Sequence, residues 1–262
     1  MELKPVLTIS GSDNSGGAGI QGDIKTFLAN GVYAMSVITT LTAQNTTGHR
    51  AYMDVTADFL GNQIDMIFED IPPVAVKIGA VPTQDLIFTV AERLKNFGAK
   101  NIVTDIVTVA NDGTKLIEAA DAQIYAENIF PLSTLVTLGK KELALFSGDA
   151  ITSRQAISEA AKKIAEKYSC AILAKGGGDE NDASEFLFNG TEGRWFRGKK
   201  IDTKNTHGAG TALSAAVTAN LAKGLNLIQS IDEAKKYLTG ALSSGLTLGK
   251  GVGPIDHGWK LR

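Results

Sequence analysis

Short apolar runs alternate with longer helix-period segments along the chain, and this rhythm constrains the fold more than any other feature. The run Val6-Leu7-Thr8-Ile9 leads into a Gly-rich loop, after which Ile24, Phe27 and Leu28 fall on one helix face. Residues 32–41 read as a second strand. Residues 59–68 read as a helix with Phe59, Leu60, Ile64, Ile67 and Phe68 on one side. Residues 74–78 form a buried-looking strand ended by Gly79, and a helix over 86–97 stops at Gly98. A strand over 101–105, a helix over 115–128, a strand over 134–137, a helix after Thr152 and a strand over 170–174 continue the pattern. Residues 184–189 and Trp195-Phe196 flank a glycine-bounded turn and predict a hairpin. Two helices, 209–222 and 227–248, close the chain. Strand–helix alternation predicts an α/β fold, a mostly parallel sheet with helices on both faces. With no linker or repeat visible, residues 1–262 read as a single domain. Ligands bind beyond the carboxyl ends of strands in such sheets. The chemistry is therefore expected near 10–23, 42–45, 79, 105, 137–142, 175–178 and 205–211.

Composition removes several function classes. Of the 262 residues 44% are hydrophobic and 21% charged, with a formal net charge of −2. That balance describes an ordinary globular protein without a strong affinity for nucleic acid. No apolar run approaches the about 18 residues of a membrane span. The opening MELKPVLTISGSD lacks the long apolar stretch of a signal peptide. The one cysteine, Cys170, cannot form an internal disulfide, which points to a reducing cytoplasm. His49, His207, His257 and Cys170 are too scattered for a zinc site legible in sequence.

Two segments are candidate anion cradles. GAGIQG, residues 17–22, matches G-x-G-x-x-G between a strand and a helix. A dinucleotide fingerprint expects an acidic residue at the end of the next strand. That strand ends Leu41-Thr42-Ala43-Gln44 with no carboxylate, so a nicotinamide site is not expected. No G-x-x-x-x-G-K-[ST] is present. The stronger candidate is NTHGAGTALSAAV, residues 205–217, where Gly208, Ala209, Gly210 and Thr211 open a helix. Unpaired N–H groups and the positive dipole end favour an anion there. On pattern alone, a plain Gly-rich helix start reads equally well.

Six stretches occur in order: TISGSDNSGGAGIQGDIKTF, SVITTLTAQNTTG (36–48), VAVKIGA (74–80), Lys175-Gly-Gly, NTHGAGTALSAAV and GVGPIDH (251–257). In these the chain resembles the hydroxymethylpyrimidine and phosphomethylpyrimidine kinases, within the ribokinase superfamily that also holds the pyridoxal kinases. It implies a three-layer α/β/α ribokinase-like fold, and transfer of the ATP γ-phosphoryl group to a primary alcohol on a heteroaromatic ring. It also implies Mg2+ and a homodimer. Carried over by position, Asp23 and Gln44 are expected to hydrogen-bond the ring, whose donors and acceptors a carboxylate and an amide can both meet. A solvated first-turn charge is the other reading of Asp23. Gly11, Ala80 and His207 fall on the substrate side. Lys175, Asp105, Thr137 and Thr206 fall on the nucleotide side, and Glu142 and Asp105 near the metal. Gly208 to Thr211 match the anion hole that stabilises the transferring phosphoryl group.

The departures from the family cluster at these positions. Thr211 stands where members carry cysteine or aspartate, Gly139 where they carry the Asn of Asn-x-x-Glu, and Ile106-Val107-Thr108 where they carry Pro-Val-Met. Ala80 replaces a methionine and Gly178 a histidine. A threonine hydroxyl has no useful basic form at neutral pH, unlike a carboxylate or a thiolate. Phosphoryl transfer depends mainly on positioning and electrostatics, so slow turnover rather than none is expected. The alternative is an impaired member that binds nucleotide or pyrimidine in a regulatory role.

Overall fold

The computed structural model describes residues 3–109, 117–177 and 182–262. Nine strands form one sheet in the order β3-β2-β1-β4-β5-β6-β7-β8-β9. The strands are β1 (Pro5–Asp13), β2 (Tyr33–Asn45), β3 (Gly48–Asp54), β4 (Ala75–Ile78), β5 (Ile102–Asp105), β6 (Leu135–Leu138), β7 (Ala171–Ala174), β8 (Glu185–Phe188) and β9 (Gly193–Phe196). Pairing is parallel from β2 through β1, β4, β5 and β6 to β7. It is antiparallel for β3 at one edge and for the β8–β9 hairpin at the other.

Buried on both faces, the central strands are apolar at nearly every position, and alternate residues serve opposite cores. Val76, Ile78, Ile102 and Val136 join one cluster with α2 (Ala57–Asp70), α3 (Gln84–Asn96), α4 (Ala119–Ile129), α5 (Lys140–Ser147) and α6 (Arg154–Tyr168). Ala75, Val103 and Leu135 face the other way, toward α1 (Gly19–Ala29), α7 (Ala209–Ala222) and α8 (Leu227–Ser243). The three-layer α/β/α arrangement is the one expected from the sequence. Helix α7 lies across the sheet centre and is buried on nearly every face, which is why it lacks an amphipathic stripe.

The structure differs from the sequence reading in several places: β1 and β2 run on to Asp13 and Asn45, beyond the ends read at Ile9 and Leu41. Strand β3 was not expected, because it has no buried residue and Arg50 to Met53 are exposed, as an edge strand can be. Helix α5 was not expected either; at eight residues it is too short for a clear period. Helix α8 ends at Ser243 rather than near 248, before Gly245 at φ +75°. The start of the helix expected over 115–128, residues 115 and 116, lies outside the described residues.

Two glycines are required by their surroundings. Gly11 sits where the β1–β2 register shifts, and a Cβ there would lie 2.8 Å from the Thr40 side chain. Gly208 caps α7 at φ +86°, and a Cβ there would collide with the Gly17 carbonyl.

Candidate active site

Helices α1 and α7 both begin at the carboxyl end of the sheet, and neither has a side-chain N-cap. The loop that leads into α1 is gathered by a protein anion. Asp13 Oδ2 accepts the amides of Gly17 (3.1 Å) and Ala18 (2.8 Å), and Oδ1 accepts the amide and hydroxyl of Ser15. His207 Nε2 lies 2.7 Å from Oδ2. Burial alone would raise the Asp13 carboxyl; bonds from His207, Ser15 and Ala18 outweigh it and hold the group well below the usual carboxylate range. Two amides of the GAGIQG loop, those of Gly17 and Ala18, are thus taken by Asp13. The N-terminus of α7 has no side-chain cap. Its Gly210 faces Lys175: a Cβ at 210 would lie 3.2 Å from the ammonium.

Lys175 is fixed by Asp105. The ammonium lies 2.5 Å from Asp105 Oδ1, which also accepts the Thr137 hydroxyl at 2.6 Å. The Ser214 hydroxyl lies 3.0 Å from Asp105 Oδ2. Asp105 is buried, and although burial raises its carboxyl, Lys175 and Lys77 bring it below the ordinary range. Thr211 and Ser214 lie one helical turn apart, so this contact ties the first turn of α7 to the end of β5. Asp105, Thr137, Lys175 and Gly208 to Thr211 thus converge. Thr206 is exposed, and its carbonyl accepts the Ala209 amide. Glu142, in the first turn of α5, accepts the Thr108 amide and hydroxyl at Oε1.

On the substrate side, Ala80 Cβ lies 3.8 Å from where a Gly11 Cβ would sit. His207 packs against Gly17. Gln44 is half-buried, with its backbone amide on Asn14 Oδ1. Asp23 is fully enclosed: Oδ2 accepts the Thr8 hydroxyl (2.6 Å) and the Lys77 ammonium (3.0 Å), and Oδ1 has no partner. Asp23 and Gln44 sit on different elements, and no hydrogen bond joins them. Gly178 lies outside the described residues.

The sequence reading missed several residues of this region. Asp13 stood in a quoted motif directly before the glycines, and Ser214 stood three residues after Thr211; both signals were available. Thr108 and Lys77 became legible only with their partners in place. His257, 240 residues from Gly17, donates Nε2–H to the Gly17 carbonyl at 2.8 Å and receives the Thr26 hydroxyl at Nδ1. Burial pushes His257 down from 6.5 to about 4. Neutral in the fold and charged when unfolded below pH 6.5, it adds stability that is complete above 6.5 and lost as pH falls toward 4. Urea denaturation is expected to show about 3 kcal/mol lost over that window. His257→Gln is expected to lack this component, and an equal slope in the variant would contradict the assignment.

Residues 13–256 match the phosphomethylpyrimidine kinase family. The hydroxymethylpyrimidine/phosphomethylpyrimidine kinase of Rhizobium meliloti is 42% identical over 255 residues, covering 96% of both chains. The chain belongs to the phosphomethylpyrimidine kinase family. Among solved structures, the ADP complex of Bacillus subtilis pyridoxal kinase superposes with a TM-score of 0.91 at 36% identity, covering 98% of each chain. The Staphylococcus aureus pyridoxal kinase in complex with AMP-PCP gives 0.91 at 29% identity, covering all of this chain and 96% of that one. The fold is therefore that of the ribokinase-like vitamin kinases, and the chain is a small-molecule kinase that uses ATP. No described helix is long and apolar enough to cross a membrane.

Proposed function

We propose that this kinase phosphorylates the hydroxymethyl group of hydroxymethylpyrimidine, its phosphate, or pyridoxal or pyridoxine. The observation that carries the reading is the α7 N-terminus with Lys175 against Gly210, its ammonium held there by Asp105.

The residues divide the work as follows. The amides of Gly208, Gly210 and Thr211 hold the developing charge on the transferring group. Lys175 neutralises phosphate oxygens, and Asp105, with Thr137 and Ser214, keeps its ammonium in place. Gln44, Gly11, Ala80 and His207 line the ring side. Asp23, for which a ring contact was expected, is enclosed against Thr8 and Lys77 instead. Thr206 contributes backbone on the nucleotide side.

Mg2+ is proposed as the metal. No group of three or more metal-binding side chains occurs among the described residues. That fits an ion that prefers phosphate oxygens and water with one or two carboxylates. Glu142 suits it better than Asp105, whose two oxygens are both engaged. Bound there, the ion would bridge phosphate oxygens and offset their charge. A homodimer, a cytoplasmic setting and one domain over 1–262 complete the proposal.

Thr211 supports a second reading, a relative that binds without turning over. A coupled ADP-release assay with the three kinds of alcohol separates the two. Slow ADP release with at least one is expected; binding of all without release would select the second reading.

A further inference from the structure

Two of the positions at which this chain departs from its family, 108 and 139, act on the same carboxylate. Thr108 gives Glu142 Oε1 both its amide, at 3.1 Å, and its hydroxyl, at 2.8 Å. The other oxygen, Oε2, lies over Gly139, only 2.8 Å from where a Cβ would stand. That separation is closer than a carbon and a carboxylate oxygen tolerate, so this orientation of Glu142 requires glycine at 139. Glu142 is 7% exposed, and solvent cannot fix its rotation. The two oxygens are therefore unlike: one is saturated by Thr108, while the other takes no hydrogen bond among the described residues.

We infer that Thr108 is a positioning residue that aims Glu142 Oε2 at the metal of the bound nucleotide, with Gly139 as the space this aim requires. The inference rests on the kinase reading above. A hydrogen-bond partner that orients a metal-facing carboxylate typically changes metal affinity by about 10–100-fold when removed. The two positions must also be coupled. Without the Thr108 hydroxyl the carboxylate can rotate off Oε1, and a side chain at 139 then displaces less.

The test is ADP affinity by titration calorimetry, with and without Mg2+. Thr108→Val is expected to lose about tenfold of the gain that Mg2+ brings, with the metal-free affinity unchanged. Thr108→Ser keeps the hydroxyl and is expected to retain the gain. Gly139→Ala is expected to lose part of the gain in the parent and less of it in the Thr108→Val background. A wild-type Mg2+ effect in Thr108→Val overturns the inference while leaving the kinase reading intact. So does an equal loss in Thr108→Ser, additive losses at 108 and 139, or a fall in metal-free affinity, each of which marks a packing role. Failure of the parent protein to bind ADP overturns both.

Discussion

Thr211→Cys is expected to raise turnover by about a hundredfold, the lower end of what a positioned general base contributes. Residue 211 is the third residue of α7, within the turn where the helix dipole favours a negative charge. Lys175 stands beside the neighbouring Gly210. A thiol in such a place ionises well below its free value of about 8.5. The resulting thiolate could take the proton of the substrate alcohol, which a threonine hydroxyl cannot. Two controls sharpen the result. Thr211→Ala is expected to match the parent, because the hydroxyl does no proton work. The pH–rate profile of Thr211→Cys is expected to gain an ascending limb that the parent lacks. A folded, ADP-binding Thr211→Cys protein with no gain would move the limiting step elsewhere, first to Glu142.

Lys77→Met is expected to cost about 3–5 kcal/mol of folding stability at pH 8, read from urea denaturation. Lys77 and Asp23 are 3.0 Å apart, with side-chain exposures of 2% and 0%. Burial pushes the Asp23 carboxyl up, and Lys77 and Thr8 pull it back. Removing the ammonium leaves a carboxylate with only the Thr8 hydroxyl, in a place water does not reach. The sign of the pH dependence follows. With its folded value raised, the stranded carboxyl is protonated first in the folded state, so the penalty is full above that value and shrinks as pH falls. Lys77→Met/Asp23→Leu is expected to recover most of the loss, since the cost lies in breaking the pair rather than in lacking it. A single variant as stable as the parent at pH 8 would show that Asp23 is already protonated there.

Much of the architecture was legible because parallel strands buried on both faces leave an unmistakable apolar run, and β1, β4, β5 and β7 were read within a residue or so at their starts. Helix α7 was placed at 209–222 from its glycines and apolar content. What escaped was short or edge-exposed: α5 has only eight residues, and β3 is an exposed edge strand without an apolar run. At the site, residue types with a known part could be placed by motif. Their partners could not. Lys77 reads in sequence as one polar residue inside a strand, and only the fold puts Asp23 against it. Thr108 reads as a lost methionine until Glu142 is seen to accept from it. Partnership across 34 or more positions is a property of the packing, and no local pattern encodes it.

The contacts of His207 and His257 also set an order of events. His207 bonds through its backbone to Gly253 and Ile255, and His257 holds the Gly17 carbonyl. The glycine loop of the first strand and the cradle of α7 are thus joined by residues from the last ten positions of the chain. Closing a loop that long is entropically unfavourable until the sheet has already brought its ends together. On a ribosome, strands and outer helices can assemble while the crevice is still unbuilt. Binding competence then arrives only when residues 253–257 pack, and a variant in which they cannot pack would be a folded scaffold without a working centre.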